Sequence, residues 1–282
     1  MSDAFGVIGY PLGHTISPAF QQAAFDELGI DAEYHAIETH TCDLPRRIQE
    51  VRNRRWAGLN VTIPHKANVA QLLDGAAETA AAAGAVNTVY WANGDLVGEN
   101  TDVPAIRAVL ANANIAPGAR ALILGAGGAA RAALLALIGR GDEVILANRT
   151  RSNAEATCKA VAPGRSIDVI DLNGPTISTV AEECALIVNT TSVGMRGGPA
   201  PNDSPLPISG LRPSQAVFDV VYRPEATPLL ARAAEIGCQT IGGLEMLVIQ
   251  GALSFELWTG RSAPLDVMLR AARAALAKSE LP

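Results

Sequence analysis

The sequence predicts a doubly wound α/β protein of two domains. Short β-like runs alternate with amphipathic helical runs along nearly all of the 282 residues, the pattern of parallel strands joined by crossover helices. A glycine-rich turn, Gly125–Arg131, follows an apolar strand and opens a helix, as in dinucleotide-binding folds. One domain of about 150 residues would leave almost half of the chain unused. We therefore expect two domains, one of them Rossmann-type.

The first third of the chain predicts a mixture of strands and helices. The predicted strands are 5–10, 33–38, 58–63, 85–91 and 95–99, and the predicted helices are 17–28, 44–54 and 66–83. Pro64 ends the third strand because proline cannot donate to a sheet. Asn93-Gly94 between apolar runs indicates a hairpin. Ser17 and Pro18 are typical of an N-cap and the first helical residue.

From residue 102 onward the alternation becomes regular. The predicted strands are 121–124, 144–148, 167–172, 186–189 and 216–222, and the predicted helices are 103–113, 129–138 and 153–161. Residues 194–207 hold many prolines and glycines and predict a mobile surface loop. The last helices, 244–258 and 264–277, have no strand after them, so we expect them to return to the first domain. The expected domains are 1–101 with 242–282 for substrate, and 102–241 for the dinucleotide.

Composition narrows the partners to small molecules. The formal net charge is −6, which gives no electrostatic reason to bind nucleic acid or an anionic membrane. The four cysteines include no C-x-x-C pair, which favours a reduced, cytoplasmic protein. The first ten residues lack a basic targeting region, and no apolar run approaches the length of a membrane span.

The glycine-rich turn is a candidate phosphate site. Its glycines permit a tight turn and a close approach of the backbone to a pyrophosphate, and the helix N-terminus favours the negative charge. The alternative is a tight turn without a ligand. After the next strand, where NAD sites usually have a carboxylate, the chain has Asn148, Arg149, Thr150 and Arg151. Two guanidinium groups without a carboxylate suit a 2′-phosphate and favour NADP over NAD, unless this stretch is merely solvated and caps a helix.

Two further segments carry candidate acid–base groups. Lys66 is one of only three lysines and follows a strand end; a partly desolvated lysine can exchange a proton near neutral pH, whereas arginine cannot. A surface lysine is the alternative reading. Asp102 is either the N-cap of the next helix or a carboxylate able to pair with Lys66. Thr15 has a hydroxyl for which capping gives no explanation, and His65 is expected to be structural or solvated.

Taken together, these stretches resemble the shikimate dehydrogenase family over nearly the whole chain. The matching segments are Gly9–Pro18, Asn60–Lys66, Ala85–Thr88, Gly98–Asp102, Gly125–Arg131, Asn148–Thr150, Asn189–Met195 and Gly243–Gln250. Their number and order make the resemblance specific.

The resemblance implies the roles of the site residues. Lys66 would be the general acid/base, and Asp102 would hold the lysine and a substrate hydroxyl. Thr15 and Ser17 would receive the substrate carboxylate. The residues that would contact the ring hydroxyls or line their pocket are Asn60, Thr62, Asn87, Tyr222 and Gln250. The residues that would bind NADP(H) are Gly125, Ala126, Gly127, Gly128, Ala129, Asn148, Arg149, Thr150, Arg151, Thr190, Ser192, Val220, Gly243 and Met246. No metal is expected.

The implied reaction is the reversible reduction of 3-dehydroshikimate by NADPH, in a monomer or homodimer. Thr15 stands where biosynthetic members usually have serine, and Gly242 and Asn153 also depart from the usual pattern. A catabolic quinate/shikimate dehydrogenase is therefore the first alternative, and a non-catalytic NADP(H) sensor is the remote one. The Asn148–Thr150 stretch argues against the former because NAD-linked relatives tend to have an acidic residue there, and the Lys66–Asp102 pair argues against the latter.

Overall fold

The computed structural model describes residues 2–13 and 15–280, so His14 of the opening motif and residues 1, 281 and 282 of the predicted first domain lie outside the described residues. Along the described chain, the strands are β1 (Asp3–Gly9), β2 (Ala32–Glu38), β3 (Gly58–Val61), β4 (Gly75–Ala76), β5 (Thr88–Ala92), β6 (Asp95–Glu99), β7 (Arg120–Leu124), β8 (Glu143–Asn148), β9 (Asp168–Asp171), β10 (Leu186–Asn189), β11 (Ala216–Asp219) and β12 (Gln239–Ile241). The helices are α1 (Ser17–Glu27), α2 (Leu44–Arg52), α3 (Glu78–Ala83), α4 (Asp102–Asn112), α5 (Gly128–Gly139), α6 (Arg151–Val161), α7 (Ile177–Glu183), α8 (Pro228–Ile236), α9 (Gly243–Thr259) and α10 (Leu265–Glu280).

The chain divides into two compact units. One runs through Thr101 and resumes at Val248, and the other is Asp102–Leu247. The first unit is therefore discontinuous, and its last helix, α10, packs against α1. The predicted fold class is confirmed: an α/β protein with one discontinuous unit and one Rossmann-type unit.

The sheet of the discontinuous unit brings several candidate segments to one edge. Its strand order is β2-β1-β3-β5-β6-β4. β1 and β3 are parallel, so both end at the same edge, where the Thr15 loop and the Lys66 turn follow. β5 is antiparallel to β3, with Thr88 opposite Asn60. The beginning of β5, with Asn87 just before it, therefore lies at that same edge.

Aromatic packing holds α1 and α9 on this sheet. The Phe5 ring lies 5.1 Å from the Phe25 ring and 5.1 Å from the Trp258 ring, measured between centroids. The Trp258 indole also donates a hydrogen bond of 3.0 Å to the Val89 carbonyl. A side chain at Gly58 would collide with that indole, so the glycine permits the close approach. These contacts fix the C-terminal part of α9 against β1 and β5.

The sheet of the second unit is wholly parallel. Its order, β12-β11-β10-β7-β8-β9, is the Rossmann order in which two halves diverge from adjacent central strands. The glycine-rich turn follows β7, at the point where the strand order reverses. Ligands of doubly wound sheets bind beyond the carboxyl ends of the strands at such a point.

The predicted Asn93-Gly94 hairpin is confirmed. β5 and β6 are antiparallel, with Ala92 opposite Asp95. The φ angles of Asn93 and Gly94 are 51° and 93°, the left-handed region that a two-residue hairpin turn requires at both central positions. Glycine adopts it without a steric cost, and asparagine tolerates it.

The prediction of one helix over 66–83 is wrong. A short 3-10 turn spans Val69–Leu72, Gly75–Ala76 forms β4 beside β6, and only Glu78–Ala83 is α-helical. Asp74 explains the interruption: its carboxylate accepts the backbone N–H of Leu96 at 2.8 Å and pairs with Arg52 at 2.9 Å. Alanine content favoured a helix, but these tertiary bonds hold the segment extended.

Other elements differ in extent. The predicted strands 58–63, 85–91 and 216–222 are shorter than expected, with β3 ending at Val61, β5 starting at Thr88 and β11 ending at Asp219. The sequence reading omitted α7, α8 and β12. No helix in the described part of the chain is long and apolar enough to cross a membrane.

Candidate active site

Two hydroxyl groups meet where α1 begins. The Thr15 hydroxyl donates to the Ser17 hydroxyl at 3.2 Å and accepts the backbone N–H of Ser17 at 3.3 Å. The prediction that Ser17 is the N-cap of this helix is wrong, because the helix already begins at Ser17 and Ile16 occupies the cap position. Thr15 instead takes up the first N–H of the helix. Both hydroxyls that the resemblance assigns to the substrate carboxylate therefore lie together.

Three of the predicted ring-binding residues are joined by hydrogen bonds. Asn87 Nδ2 donates to Gln250 Oε1 at 3.2 Å, and Asn60 Nδ2 lies 3.3 Å from the Asn87 carbonyl oxygen. Asn60 and Asn87 are only 6% and 1% exposed, whereas Gln250 is half-buried. Of the three, only Gln250 presents substantial side-chain surface.

The turn that carries Lys66 is anchored on both sides. His65 is fully buried, and its Nε2 lies 2.7 Å from the Thr39 carbonyl oxygen. A carbonyl can only accept, so Nε2 carries the proton, and of the two expectations for His65 the structural one is correct. The Lys66 carbonyl accepts the backbone N–H of Val86 at 2.7 Å, one residue before Asn87. Thr62 is half-buried at the start of this turn.

The glycine-rich turn has the features that a pyrophosphate requires. Gly125 has a φ of +109°, and a Cβ there would lie 2.7 Å from the Thr190 hydroxyl, so only glycine fits. A Cβ at Gly127 would meet nothing within 4 Å, which leaves open space in front of the helix. α5 starts at Gly128, and its N-cap residue, Gly127, has no side chain with which to cap the first turn. The turn therefore offers backbone N–H donors, space and the positive end of a helix dipole to an anion.

The two arginines after β8 have different surroundings. Arg149 is exposed, and it makes no hydrogen bond or ion pair with any other described residue. Arg151 Nε pairs with Glu155 at 2.8 Å, and its Nη1 donates to the Val169 carbonyl at 3.1 Å. Asn148 Nδ2 fixes the turn by donating to the Thr150 carbonyl at 2.9 Å. Arg149 is thus the guanidinium that a 2′-phosphate could engage without breaking an existing bond.

A buried carboxylate, Asp219, links the ends of β10 and β11. It accepts hydrogen bonds from Asn189 Nδ2 (2.9 Å), the Val221 backbone N–H (3.0 Å) and the Thr227 hydroxyl (2.7 Å). Burial raises the pKa of Asp219 to about 6, although the three donors oppose that shift. Thr227 in turn caps α8. Sequence reasoning did not single out Asp219, although an acidic residue in the middle of an otherwise apolar predicted strand was a usable signal.

Asp219 fixes the backbone beside several predicted cofactor residues. Val220 follows it, and a Cβ at Gly243 would lie 2.3 Å from the Val220 carbonyl oxygen, so these two predicted residues are in close contact. Thr190 donates to the Leu124 carbonyl at 2.6 Å, directly before the glycine-rich turn. Met246 is buried.

The remaining predicted residues are half-buried or buried. Ser192, Tyr222, Ala126 and Ala129 are half-buried. Asp102 is buried at the start of α4. It belongs to the second unit, whereas Lys66 belongs to the first. The described residues contain no group of three or more His, Cys, Asp or Glu side chains that could hold a metal ion.

Family models match both ends of the chain. A model described as the shikimate dehydrogenase substrate binding domain matches residues 7–89, and one described as the shikimate 5′-dehydrogenase C-terminal domain matches residues 243–273. A curated relative, shikimate dehydrogenase (NADP(+)) from Anaeromyxobacter sp. (strain K), is 40% identical over 277 residues, which cover 96% of this chain and 95% of the relative.

Solved structures agree with these matches. The structure of shikimate 5-dehydrogenase from Thermus thermophilus in complex with NADP(H) and shikimate is 39% identical, with a TM-score of 0.87, and the match covers 97% of this chain and 100% of the other. Quinate dehydrogenase from Corynebacterium glutamicum in complex with NAD is 31% identical, with a TM-score of 0.87 and coverage of 97% and 99%. An identity of 40% over nearly the full length of both chains, together with the motifs and the two-unit fold, establishes that the chain belongs to the shikimate dehydrogenase family.

Proposed function

We infer that this chain is an NADP-dependent shikimate dehydrogenase, an oxidoreductase that reversibly reduces 3-dehydroshikimate to shikimate in the biosynthesis of chorismate and the aromatic amino acids. The observation that carries this inference is the 40% identity, over 96% of the chain, to a relative named for that activity and cofactor. Arg149, which has no partner among the described residues, and the helix N-terminus behind Gly127 suit NADP(H) in particular.

Proton transfer is the chemistry that this chain's own side chains supply. When bound, the reduced dinucleotide would supply a hydride to the C3 carbon of 3-dehydroshikimate. As charge develops on the C3 oxygen, protonated Lys66 donates its proton there, and in the oxidative direction neutral Lys66 removes it. Asp102 holds the lysine and a substrate hydroxyl. The half-buried position of Lys66 in its anchored turn limits the motion of its main chain, which suits a group that must meet one oxygen atom.

Substrate binding relies on neutral donors and acceptors. Thr15 and Ser17 donate to the carboxylate, and their contact of 3.2 Å places two hydroxyls within reach of one anion. Thr62, Tyr222 and Gln250 contact the ring hydroxyls. Asn87 and Asn60 complete that pocket, and their burial makes them its inner wall.

Cofactor binding uses the second unit. Gly125, Gly127 and Gly128 with Ala126 and Ala129 would hold the pyrophosphate. Arg149 would hold the 2′-phosphate, and Asn148, Thr150 and Arg151 would line the ribose beside it. Thr190, Ser192, Val220, Gly243 and Met246 would line the nicotinamide half. This assignment follows the Rossmann rule that the dinucleotide crosses the carboxyl ends of the central strands.

The cellular setting is part of the proposal. All four cysteines are free, as expected in the reducing cytoplasm. We propose a cytoplasmic monomer or homodimer that takes small molecules and no nucleic acid.

Initial rates with shikimate and quinate, each with NADP+ and NAD+, test the function. We expect efficient turnover only with shikimate and NADP+, and weak turnover of quinate. Equal kcat/KM values for quinate and shikimate would replace the biosynthetic role with the catabolic one. Binding of NADP+ without turnover of either acid would leave only a sensor.

A further inference from the structure

Six buried polar side chains form a continuous hydrogen-bonded cluster in the discontinuous unit, which we call the amide network. Its members are Tyr34, Asn60, Asn87, Thr88, Thr101 and Ser254. None is more than 6% exposed. The resemblance assigns substrate contacts to Asn60 and Asn87, but it gives no role to the other four. Buried polar groups are costly unless they are paired, so the arrangement of the network carries information.

Ser254 is the junction of the amide network. Its hydroxyl donates to the Gln250 carbonyl at 2.9 Å, one turn earlier on α9, and accepts from Asn60 Nδ2 at 2.8 Å. The Thr88 hydroxyl lies 2.7 Å away. A hydroxyl has one proton and two acceptor positions. With the Ser254 proton on the Gln250 carbonyl, the Thr88 hydroxyl can donate to Ser254, and Asn60 and Thr88 then fill both acceptor positions of Ser254.

The orientation of the Asn87 amide is determined by the backbone. The N–H of Thr101 donates to Asn87 Oδ1 at 2.8 Å, and only the oxygen end of an amide can accept it. Nδ2 must then point the other way, where it donates to the Thr101 hydroxyl at 2.9 Å and to Gln250 Oε1 at 3.2 Å. Gln250 is consequently turned with its oxygen toward Asn87 and its Nε2 donor away from it.

The orientation of the Asn60 amide is determined by the Tyr34 side chain. Burial raises the pKa of Tyr34 well above its usual value, so its hydroxyl keeps its proton and donates to Asn60 Oδ1 at 2.7 Å. Asn60 Nδ2 must then face Ser254. Ser254 therefore receives a donor from β3 and another from β5, and it gives its own proton to the helix that carries Gln250.

We propose that Ser254 is a positioning residue for substrate binding. It ties α9 to β3 and β5, so that Gln250 and Asn87 meet the ring hydroxyls at a fixed distance and with fixed amide ends. This inference rests on the proposed function, in which Asn87 and Gln250 bind shikimate. Ser254 itself need not touch the substrate.

The test compares Ser254→Ala with two substitutions at Thr88. Thr88→Val removes the hydroxyl but keeps the shape, and Thr88→Ser keeps the hydroxyl. Thr259→Val is the matched control, because Thr259 makes the same type of hydrogen bond on the same helix, to the Phe255 carbonyl at 2.8 Å, but lies outside the network. For each variant, the KM for shikimate, the KM for NADP+, kcat and the melting temperature are measured.

We expect Ser254→Ala and Thr88→Val each to raise the KM for shikimate by about 5- to 20-fold, since each leaves a buried donor or acceptor unpaired. The KM for NADP+ and kcat should stay within about threefold of the wild-type values, and Thr88→Ser and Thr259→Val should resemble the wild type. In the double variant Ser254→Ala/Thr88→Val, the rise in the KM for shikimate should be smaller than the product of the two single rises, because both residues act through one network.

A lower melting temperature with an unchanged KM for shikimate would overturn the proposal and leave Ser254 a purely structural residue. An equal rise in the KM for shikimate in Thr259→Val would also overturn the proposal. If Ser254→Ala does not fold, the comparison of Thr88→Val with Thr88→Ser decides the question. Gln250→Ala distinguishes an error in the positioning role of Ser254 from an error in the proposed substrate site. If Gln250→Ala raises the KM for shikimate and Ser254→Ala does not, only the positioning role is wrong. If neither variant raises the KM for shikimate, the proposed substrate site is wrong.

Discussion

Replacing Arg149 and Arg151 by alanine in separate variants tests how the chain selects NADP over NAD. The two side chains are two residues apart and carry the same charge, but their surroundings differ. Arg149 has no partner among the described residues, whereas Arg151 is held by Glu155 and the Val169 carbonyl. If Arg149 alone receives the 2′-phosphate, only its loss should change cofactor preference.

The expected magnitudes follow from these contacts. A charge-assisted contact to a phosphate contributes about 1.5–3 kcal/mol, so Arg149→Ala should raise the KM for NADP+ by about 10- to 150-fold. The Arg151 side chain is 67% exposed and pairs with Glu155, and its Nη1 donates to the Val169 carbonyl. With these donors directed to protein partners and the 2′-phosphate assigned to Arg149, Arg151→Ala should change the KM for NADP+ by less than about threefold.

Steady-state kinetics with both cofactors provide the assay. NAD+ has no 2′-phosphate, so its KM should be nearly unchanged in both variants. A matching rise for NADP+ and NAD+ in Arg149→Ala would indicate a disturbed fold. A larger effect at Arg151 than at Arg149 would refute the argument from side-chain partners, because Arg151 would then have to leave Glu155 to bind the cofactor.

Three other perturbations have defined outcomes. Lys66→Ala should lower kcat by about 10²- to 10⁴-fold with NADP+ binding retained. The double variant with Asp102→Asn should lose far less kcat than the product of the two single losses, because both residues act on one proton. Full additivity in stopped-flow rates would show that the two residues act independently. Gly243→Ala should raise the KM for NADP+ at least about tenfold, because its Cβ would lie 2.3 Å from the Val220 carbonyl oxygen. Gly242→Ala should leave this KM unchanged, because its Cβ would have no neighbour closer than 3.9 Å. Equal effects of the two substitutions would contradict the steric explanation. The raised pKa of Asp219, about 6, means that the folded state binds its proton more tightly than the unfolded state, so its contribution to the unfolding free energy should fall by up to about 3 kcal/mol as the pH rises from about 4 to 6. Urea titrations at several pH values should show this fall in the unfolding free energy in the wild type and not in Asp219→Asn. The same pH dependence in both proteins would exclude Asp219 as its source.

Local chemistry explains which parts of the fold were predictable. The Asn93-Gly94 turn and the apolar strand before Gly125 each carry their signal within a few residues, and both were located correctly. The segment 66–83 was not, because its conformation depends on Asp74 bonding to Arg52 and to Leu96. Nothing in an alanine-rich run reveals a partner more than twenty residues away.

The same distinction applies to the candidate site. The glycine-rich turn and the arginines after β8 are contiguous motifs, so sequence reasoning found them. Ser254 was missed, although it lies four residues after Gln250 and hence on the same face of a predicted helix, a spacing that could have indicated a shared role. Tyr34 gave no signal, because its bond to Asn60 depends on how β2, β1 and β3 pair.

The two halves of the proposed site recognise their ligands by different physics, and this accounts for their different degrees of burial. A phosphate is recognised by charge, which acts over a distance and tolerates motion, so Arg149 can remain exposed and unpaired until the ligand arrives. Ring hydroxyls are neutral and can both donate and accept, so they are distinguished only by the direction in which each protein group points. An amide keeps its direction when one of its ends is occupied by a fixed partner. The amide network supplies that occupation for Asn87 by a backbone N–H and for Asn60 by a tyrosine that stays protonated. Specificity for the substrate therefore depends on residues that the substrate need not touch.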